Sequence, residues 1–192
     1  VGLLAKSFLS KNQNEKIIYD PRLTWNTIDI ATRYNGEAIQ SRSGHSFIKQ
    51  SMRDNDAIYG GEMSAHHYFR DFYYCDSGMI PWLLVAELLS KSGENLSSMI
   101  NTYRARYPVS GEINRKVKDT KVVIDCIRDQ YQAKAKHIDK ADGISMEFSD
   151  WRFNLRASNT EPLLRLNVES RHDRSLMESK TKELLQSIAR SG

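Results

Sequence analysis

Residues 143–170 read GISMEFSDWRFNLRASNTEPLLRLNVES. Three β-rich runs stand in succession there, Gly143–Phe148, Trp151–Arg156 and Leu163–Ser170, with turn-forming residues between them. On the N-terminal side, Thr120–Ala133 has helical spacing and Glu112–Val117 is extended; on the C-terminal side, Ser175–Ile188 is an amphipathic helix. The order strand, helix, three strands, helix predicts a small α+β domain, one antiparallel sheet packed by helices.

Pro108-Val-Ser-Gly111 is the natural linker, so two domains are expected, 1–107 and 108–192. The first alternates helix and strand signals: helix Val1–Lys11, strand Lys16–Tyr19, helix Leu23–Tyr34, strand Glu37–Ser41 and helix His45–Arg53. Strand Ala57–Tyr59 then runs into Gly60-Gly61, and His67–Phe69 is extended. A helix capped by Asp76 continues through Pro81 to Ser90, and Asn95–Arg104 is another helix. This alternation predicts a layered mixed α/β domain. Val1, Leu4, Phe8 and Leu9 already keep helical spacing with no cap before them, which reads as a helix entered midway in a longer protein.

Composition narrows the function classes. Apolar residues make 40% and charged residues 27% of the 192, a globular balance rather than a disordered one. Residues 1–110 carry 12 basic and 11 acidic side chains and residues 111–192 carry 16 and 13, so the net +4 is spread thinly. A pI near 9.0 suits a small anion as well as nucleic acid, but there is no basic arm, and no nucleic-acid partner is expected. The longest apolar run, Met79–Leu89, is too short to span a bilayer, so no membrane partner is expected. Cys75 and Cys126 lie in no metal-ligand spacing; they read as reduced, buried thiols of a cytoplasmic protein, and no metal ligand is assigned. Trp25, Trp82 and Trp151 fall in apolar patterns and are expected in the core, while His67, His137 and His172 show no evident partner. Arg104, Arg106, Arg115, Lys116 and Lys118 read as a solvated face.

Four segments can carry chemistry. Arg156-Ala-Ser-Asn-Thr-Glu-Pro162 lies between two strands: Arg156 can grip a phosphate by two parallel N–H bonds, Ser158 and Thr160 can donate hydroxyl protons, and Asn159 tolerates backbone angles that aim successive N–H groups at an anion. An ordinary polar hairpin turn is the alternative. In Gly60-Gly-Glu-Met-Ser-Ala-His66, an extended chain would turn Glu62, Ser64 and His66 to one side, suiting sugar hydroxyls or simply water. The two glycines would allow close backbone approach. Arg42-Ser-Gly-His45 sits at a strand-to-helix junction, where His45 could meet a phosphate, move a proton, or merely cap. Arg22 follows a strand end in Asp20-Pro-Arg22, the usual ligand-facing side of an α/β domain.

These segments resemble the α-D-phosphohexomutase family. Residues 61–66 are similar to its sugar-binding loop, 156–162 to its phosphate-binding loop and 43–49 to a third active-site segment, in the same order along the chain. Residues 68–81, YFRDFYYCDSGMIP, resemble bacterial phosphomannomutases of surface-polysaccharide pathways. The resemblance covers essentially the whole chain and implies the third and fourth of four family domains. It implies interconversion of mannose 6-phosphate and mannose 1-phosphate through a bisphosphorylated sugar. The family's phosphorylated serine and its Asp-rich Mg²⁺ loop would lie outside this chain, in an N-terminal half of the same enzyme, since neither a D-G-D-x-D-R motif nor a Ser-His-Asn-Pro motif occurs here.

The implied substrate is a hexose phosphate. Glu62, Ser64 and His66 would hold the sugar, and Arg156, Ser158, Asn159 and Thr160 the non-reacting phosphate. His45 and Arg22 would approach the reacting end. Arg22 stands where many members have lysine, Ala65 where many have glycine, and Met63 where phosphoglucosamine mutases usually have glutamine. Phosphoglucomutase activity, a non-catalytic phosphosugar-binding module, and a basic nucleic-acid-binding protein are the competing readings.

Overall fold

The computed structural model describes residues 1–158 and 161–192. The chain divides into two units, Val1–Tyr103 and Arg104–Gly192. The first runs α1 (Gly2–Leu9), β1 (Lys16–Tyr19), α2 (Trp25–Arg33), β2 (Glu37–Gln40), α3 (His45–Asn55), β3 (Tyr59–Gly61), β4 (His67–Phe69), β5 (Cys75–Asp76) and α4 (Met79–Ser92), with α5 (Leu96–Arg106) leading out of it. Its strands lie in the order β2-β1-β3-β4-β5. β1 is parallel to both neighbours, and the β3-β4-β5 side is antiparallel.

Successive strand residues face opposite ways, and β1 uses this to serve two cores. Ile17 packs with Leu4, Leu9, Ile30 and Phe69 under α1 and α2. Ile18 packs with Ile48, Met52 and Tyr68 under α3. The chain steps from β1 out to β2, then back past β1 to β3. Reversing direction with right-handed crossovers puts α2 and α3 on opposite faces of the sheet.

The second unit contains β6 (Ile113–Lys116), α6 (Thr120–Tyr131), β7 (His137–Asp139), β8 (Ile144–Glu147), β9 (Trp151–Ala157), β10 (Leu163–Ser170) and α7 (Arg174–Ser191). The sheet order is β6-β10-β9-β8-β7, antiparallel at every pairing. Trp151, Phe153 and Leu155 alternate toward α6 and α7 and join Val123, Ile127, Leu184 and Ile188 in one core. Phe148 stacks on Trp151 at 4.2 Å between centroids, and Tyr131 of α6 sets its ring edgewise against Phe153 at 5.8 Å. Asp119 caps α6 by accepting from the Lys121 and Val122 amides, and Asp173 caps α7 through the Leu176 amide.

The architecture is the expected one, an α/β unit followed by an antiparallel α+β unit, and the differences are local. β5 and β7, two and three residues long, were not expected. The strand expected at Ala57–Tyr59 is Tyr59–Gly61, so both glycines lie inside it. Trp82 is 64% exposed rather than core: α4 is apolar on most of its surface, but only Ile80, Leu84 and Val85 reach the core beneath it. Cys126 is exposed and Cys75 half-buried, against the expectation of buried thiols. Asp76 does not cap α4; the Ser77 hydroxyl accepts from the Ile80 amide instead. Among the described residues, no helix is long and apolar enough to cross a membrane.

Gly143 and Gly93 both adopt left-handed backbone, at φ +71° and +67°. A Cβ on Gly143 would lie 2.6 Å from the Arg156 Cα, whereas one on Gly93 would meet nothing within 4 Å. Gly93→Ala is therefore expected to cost about 1–2 kcal/mol of backbone strain. Gly143→Ala is expected to cost about 3 kcal/mol or more, because overpacking adds to strain. Urea unfolding of both variants measures the difference.

Candidate functional site

Three parallel strands end side by side, and each is followed by one of the sequence-predicted loops. Asp20–Arg22 follows β1, residues 41–45 follow β2, and 62–66 follow β3. Because the helices after β1 and β2 leave to opposite faces, the carboxyl ends of these strands border the crevice where α/β sheets usually bind ligands.

Buried charge ties these loops together. Glu62, 4% exposed, accepts from the Tyr68 hydroxyl at 2.7 Å and from the Gly44 amide at 2.9 Å. Arg22, equally buried, reaches Glu62 at 3.4 Å, Asp20 at 2.6 Å and the Ser64 hydroxyl at 3.3 Å. Asp20 also accepts from the Arg22 amide and from the Met63 amide. A buried ionised group needs both a counter-charge and hydrogen bonds to be tolerated, and here each has both. Glu62 and Arg22 thus act first as the framework of the site. Burial, then the bond to Glu62, pushes the Tyr68 phenol well above its ordinary range.

Residues 62–66 are a tight turn, not the extended strip expected from sequence. The Glu62 amide donates to the His66 carbonyl at 2.9 Å, and the Ala65 amide to the Glu62 carbonyl at 3.1 Å. Ala65 takes φ +65°, a left-handed conformation that glycine adopts at lower cost. The turn sends Glu62 inward and leaves Ser64 exposed and His66 half-exposed. The expected close approach at Gly60 is to Met52: a Cβ there would lie 2.7 Å from its Sδ.

His66 Nδ1 lies 2.7 Å from Asp76 Oδ2, and its ring meets His45 edgewise at 4.4 Å. His45, exposed at the start of α3, also sits edge-on to Tyr68 at 5.6 Å. Burial opposes ionisation of Asp76, yet the His67 amide and the His66 ring hold it below the usual carboxylate range. His67 does have a partner, the Tyr59 hydroxyl at 2.7 Å, and burial pushes its ring down to about 4.

In the second unit, Arg156 and Arg165 stand directly opposite each other across β9 and β10. Like charges in that position repel. Glu112 answers both, at 3.5 Å from Arg156 and 3.2 Å from Arg165. Arg165 also donates to the Ser158 hydroxyl at 3.4 Å. The Ser158 amide, bonded to the Leu163 carbonyl at 2.8 Å, pins the root of the loop. Buried Nε of Arg156 has no hydrogen-bond partner among the described residues. Two guanidiniums share one carboxylate, and the second of them also holds the Ser158 hydroxyl, so the group carries a net positive charge. Asn159 and Thr160 lie outside the described residues.

The structure thus brings Arg22, His45, Glu62, Ser64 and His66 together in one unit, and Arg156 with Ser158 in the other. Sequence reading missed Asp20, Tyr68, Asp76, Arg165 and Glu112, all of which reach these groups from neighbouring strands or loops. A magnesium ion requires an oxygen-rich set. Among the described residues, the one group of three possible ligands is His45, His66 and Asp76, whose two imidazoles do not fit Mg²⁺.

Residues 1–107 match the family description phosphoglucomutase/phosphomannomutase, alpha/beta/alpha domain III, and residues 112–186 match phosphoglucomutase/phosphomannomutase, C-terminal domain. A phosphomannomutase of Escherichia coli is 62% identical over 185 residues, 96% of this chain and 41% of the relative. One of Vibrio cholerae is 58% identical over 98% of this chain and 41% of its own length. The chain therefore spans about two-fifths of the curated relatives it matches. A phosphoglucomutase/phosphomannomutase family protein of Burkholderia thailandensis superposes with TM-score 0.78 at 27% identity, over 98% of this chain and 41% of that one.

Removing Glu62 would leave the Tyr68 hydroxyl and the Gly44 amide without their acceptor and take from Arg22 one of its two carboxylates. Glu62→Ala is expected to lower unfolding free energy by about 3–5 kcal/mol, while Ser64→Ala, at an exposed position, should stay within about 0.5 kcal/mol. Denaturant titrations monitored by circular dichroism distinguish the two.

Proposed function

Because the chain belongs to the phosphoglucomutase/phosphomannomutase family, we propose that it supplies the sugar- and phosphate-binding loops of a phosphomannomutase. The carrying observation is 62% identity to a phosphomannomutase along 96% of the chain. The reaction would interconvert mannose 6-phosphate and mannose 1-phosphate through a bisphosphorylated sugar. The phosphoryl-carrying serine and Mg²⁺ would come from a preceding part of the same enzyme, consistent with relatives more than twice as long. Mg²⁺ would there stabilise charge on the transferring phosphoryl group.

Within this reading, Arg156, Ser158, Asn159 and Thr160 clamp the non-reacting phosphate, and Arg165 joins them from the neighbouring strand. Binding energy at the far phosphate then orients the reacting end, which is catalysis by positioning. Ser64 and His66 face the sugar. Glu62 sets the turn that presents them, and its exposure of 4% leaves little of it to meet a hydroxyl directly. His45 stands beside His66 at the reacting end. Arg22 acts through charge and position, since a guanidinium held between two carboxylates keeps its proton. Two free cysteines agree with a cytoplasmic setting.

Amide NMR titration of the chain with mannose 1-phosphate at fixed ionic strength is the test, with inorganic sulfate as the charge control. Shifts should gather in residues 156–165 and 62–66. Arg156→Ala should weaken binding about tenfold or more, the scale of a charged hydrogen bond. Equal responses to sulfate and to the sugar phosphate would rule out a sugar-reading site. The chain alone should bind without turnover, and a longer polypeptide carrying the serine loop should turn over.

A further inference from the structure

We propose that His45, His66 and Asp76 form a binding site for a divalent transition cation of the zinc type, distinct in chemistry from any magnesium site. The three side chains come from three separate elements: the first turn of α3, the turn between β3 and β4, and strand β5. One donor atom from each lies within 4.8 Å of the others. Two imidazoles and a carboxylate are a common zinc donor set, and the same set is poor for Mg²⁺ or Ca²⁺.

The three donors are held in place by the surrounding framework. Asp76 Oδ1 accepts from the His67 amide at 2.9 Å, which fixes the carboxylate and turns Oδ2 toward His66. Such outer hydrogen bonds orient ligands in metal sites. The backbone on either side of the pair is fastened to one group: Glu62 binds the Gly44 amide next to His45, and its own amide binds the His66 carbonyl. Tyr68, whose hydroxyl is held by Glu62, lies against the His45 ring. Tetrahedral zinc with bonds near 2.1 Å sets its ligand atoms roughly 3.4 Å apart. The present 2.7 Å contact of His66 with Asp76 therefore opens by about 0.7 Å as the ion takes the Nδ1 position, the neutral ring then carrying its proton on Nε2 and an imidazolium first losing one proton to solvent. His45 is exposed, so the ion has an entry path and a fourth position for water.

Calorimetric titration of the chelator-treated chain with ZnCl₂ tests this, with Co²⁺ absorption as the spectroscopic companion. All proteins carry Cys126→Ser, because that thiol is exposed and could bind metal itself. The parent should take up one equivalent of zinc and give the visible bands of low-coordinate Co²⁺. His45→Ala, a change at an exposed position, and Asp76→Asn should each weaken zinc by at least roughly tenfold to a hundredfold, the loss that follows when only an outer hydrogen-bond partner of a ligand is removed. Both should lose the cobalt bands while keeping their far-ultraviolet circular dichroism. Zinc affinity in His45→Ala within twofold of the parent, or a cobalt spectrum no different from the aquated ion, overturns the proposal.

Discussion

Glu62 is a carboxylate placed where a carboxylate is expensive, and much of the first unit is organised around keeping it there. Desolvating an ion costs several kcal/mol, recovered only if its lone pairs and charge are answered. The Tyr68 hydroxyl, the Gly44 amide and the Arg22 guanidinium give those answers, and each arrives from a different loop or strand. The ends of β1, β2 and β3 are thereby fixed relative to one another by a single side chain. A crevice at the edge of a parallel sheet would otherwise be lined by three independent loops.

The second unit solves a related problem in the opposite sense. Arg156 and Arg165 face each other on adjacent strands, an arrangement that is unfavourable without an anion. Glu112 moderates the repulsion without cancelling it, since two guanidiniums share one carboxylate. The antiparallel sheet that carries them is packed by Phe148, Trp151 and Phe153. In the first unit two carboxylates share one guanidinium, and in the second two guanidiniums share one carboxylate.

The long, strongly patterned elements were legible in the sequence. Trp151–Ala157 and Leu163–Ser170 announce themselves by composition, and α6 and α7 by their apolar stripes. The loops could be picked out because polar, charged and glycine residues concentrate there. What could not be read was their conformation and their partners. Residues 62–66 look extended by alternation, yet Ala65 turns the chain into a left-handed bend that no period reveals. Asp76 sits where a helix cap would sit, and only its place in β5, beside β4, gives it to His66 and His67 instead. Trp82 belongs to an apolar run, but which side of α4 meets a core depends on tertiary packing.

The ties among Asp20, Arg22, Glu62, Ser64 and Gly44 bear on how this crevice can change over evolutionary time. Residues that share partners do not contribute independently. A replacement at Arg22 alters the charge balance felt by Glu62, and through it the backbone on which His45 stands. Substitutions here are therefore epistatic, with the effect of each depending on which residue already occupies its neighbours. Folded variants of this crevice would arise through coordinated sets of changes rather than through single steps, and a combinatorial library that varies these positions together samples the accessible variants where a one-at-a-time scan misses them.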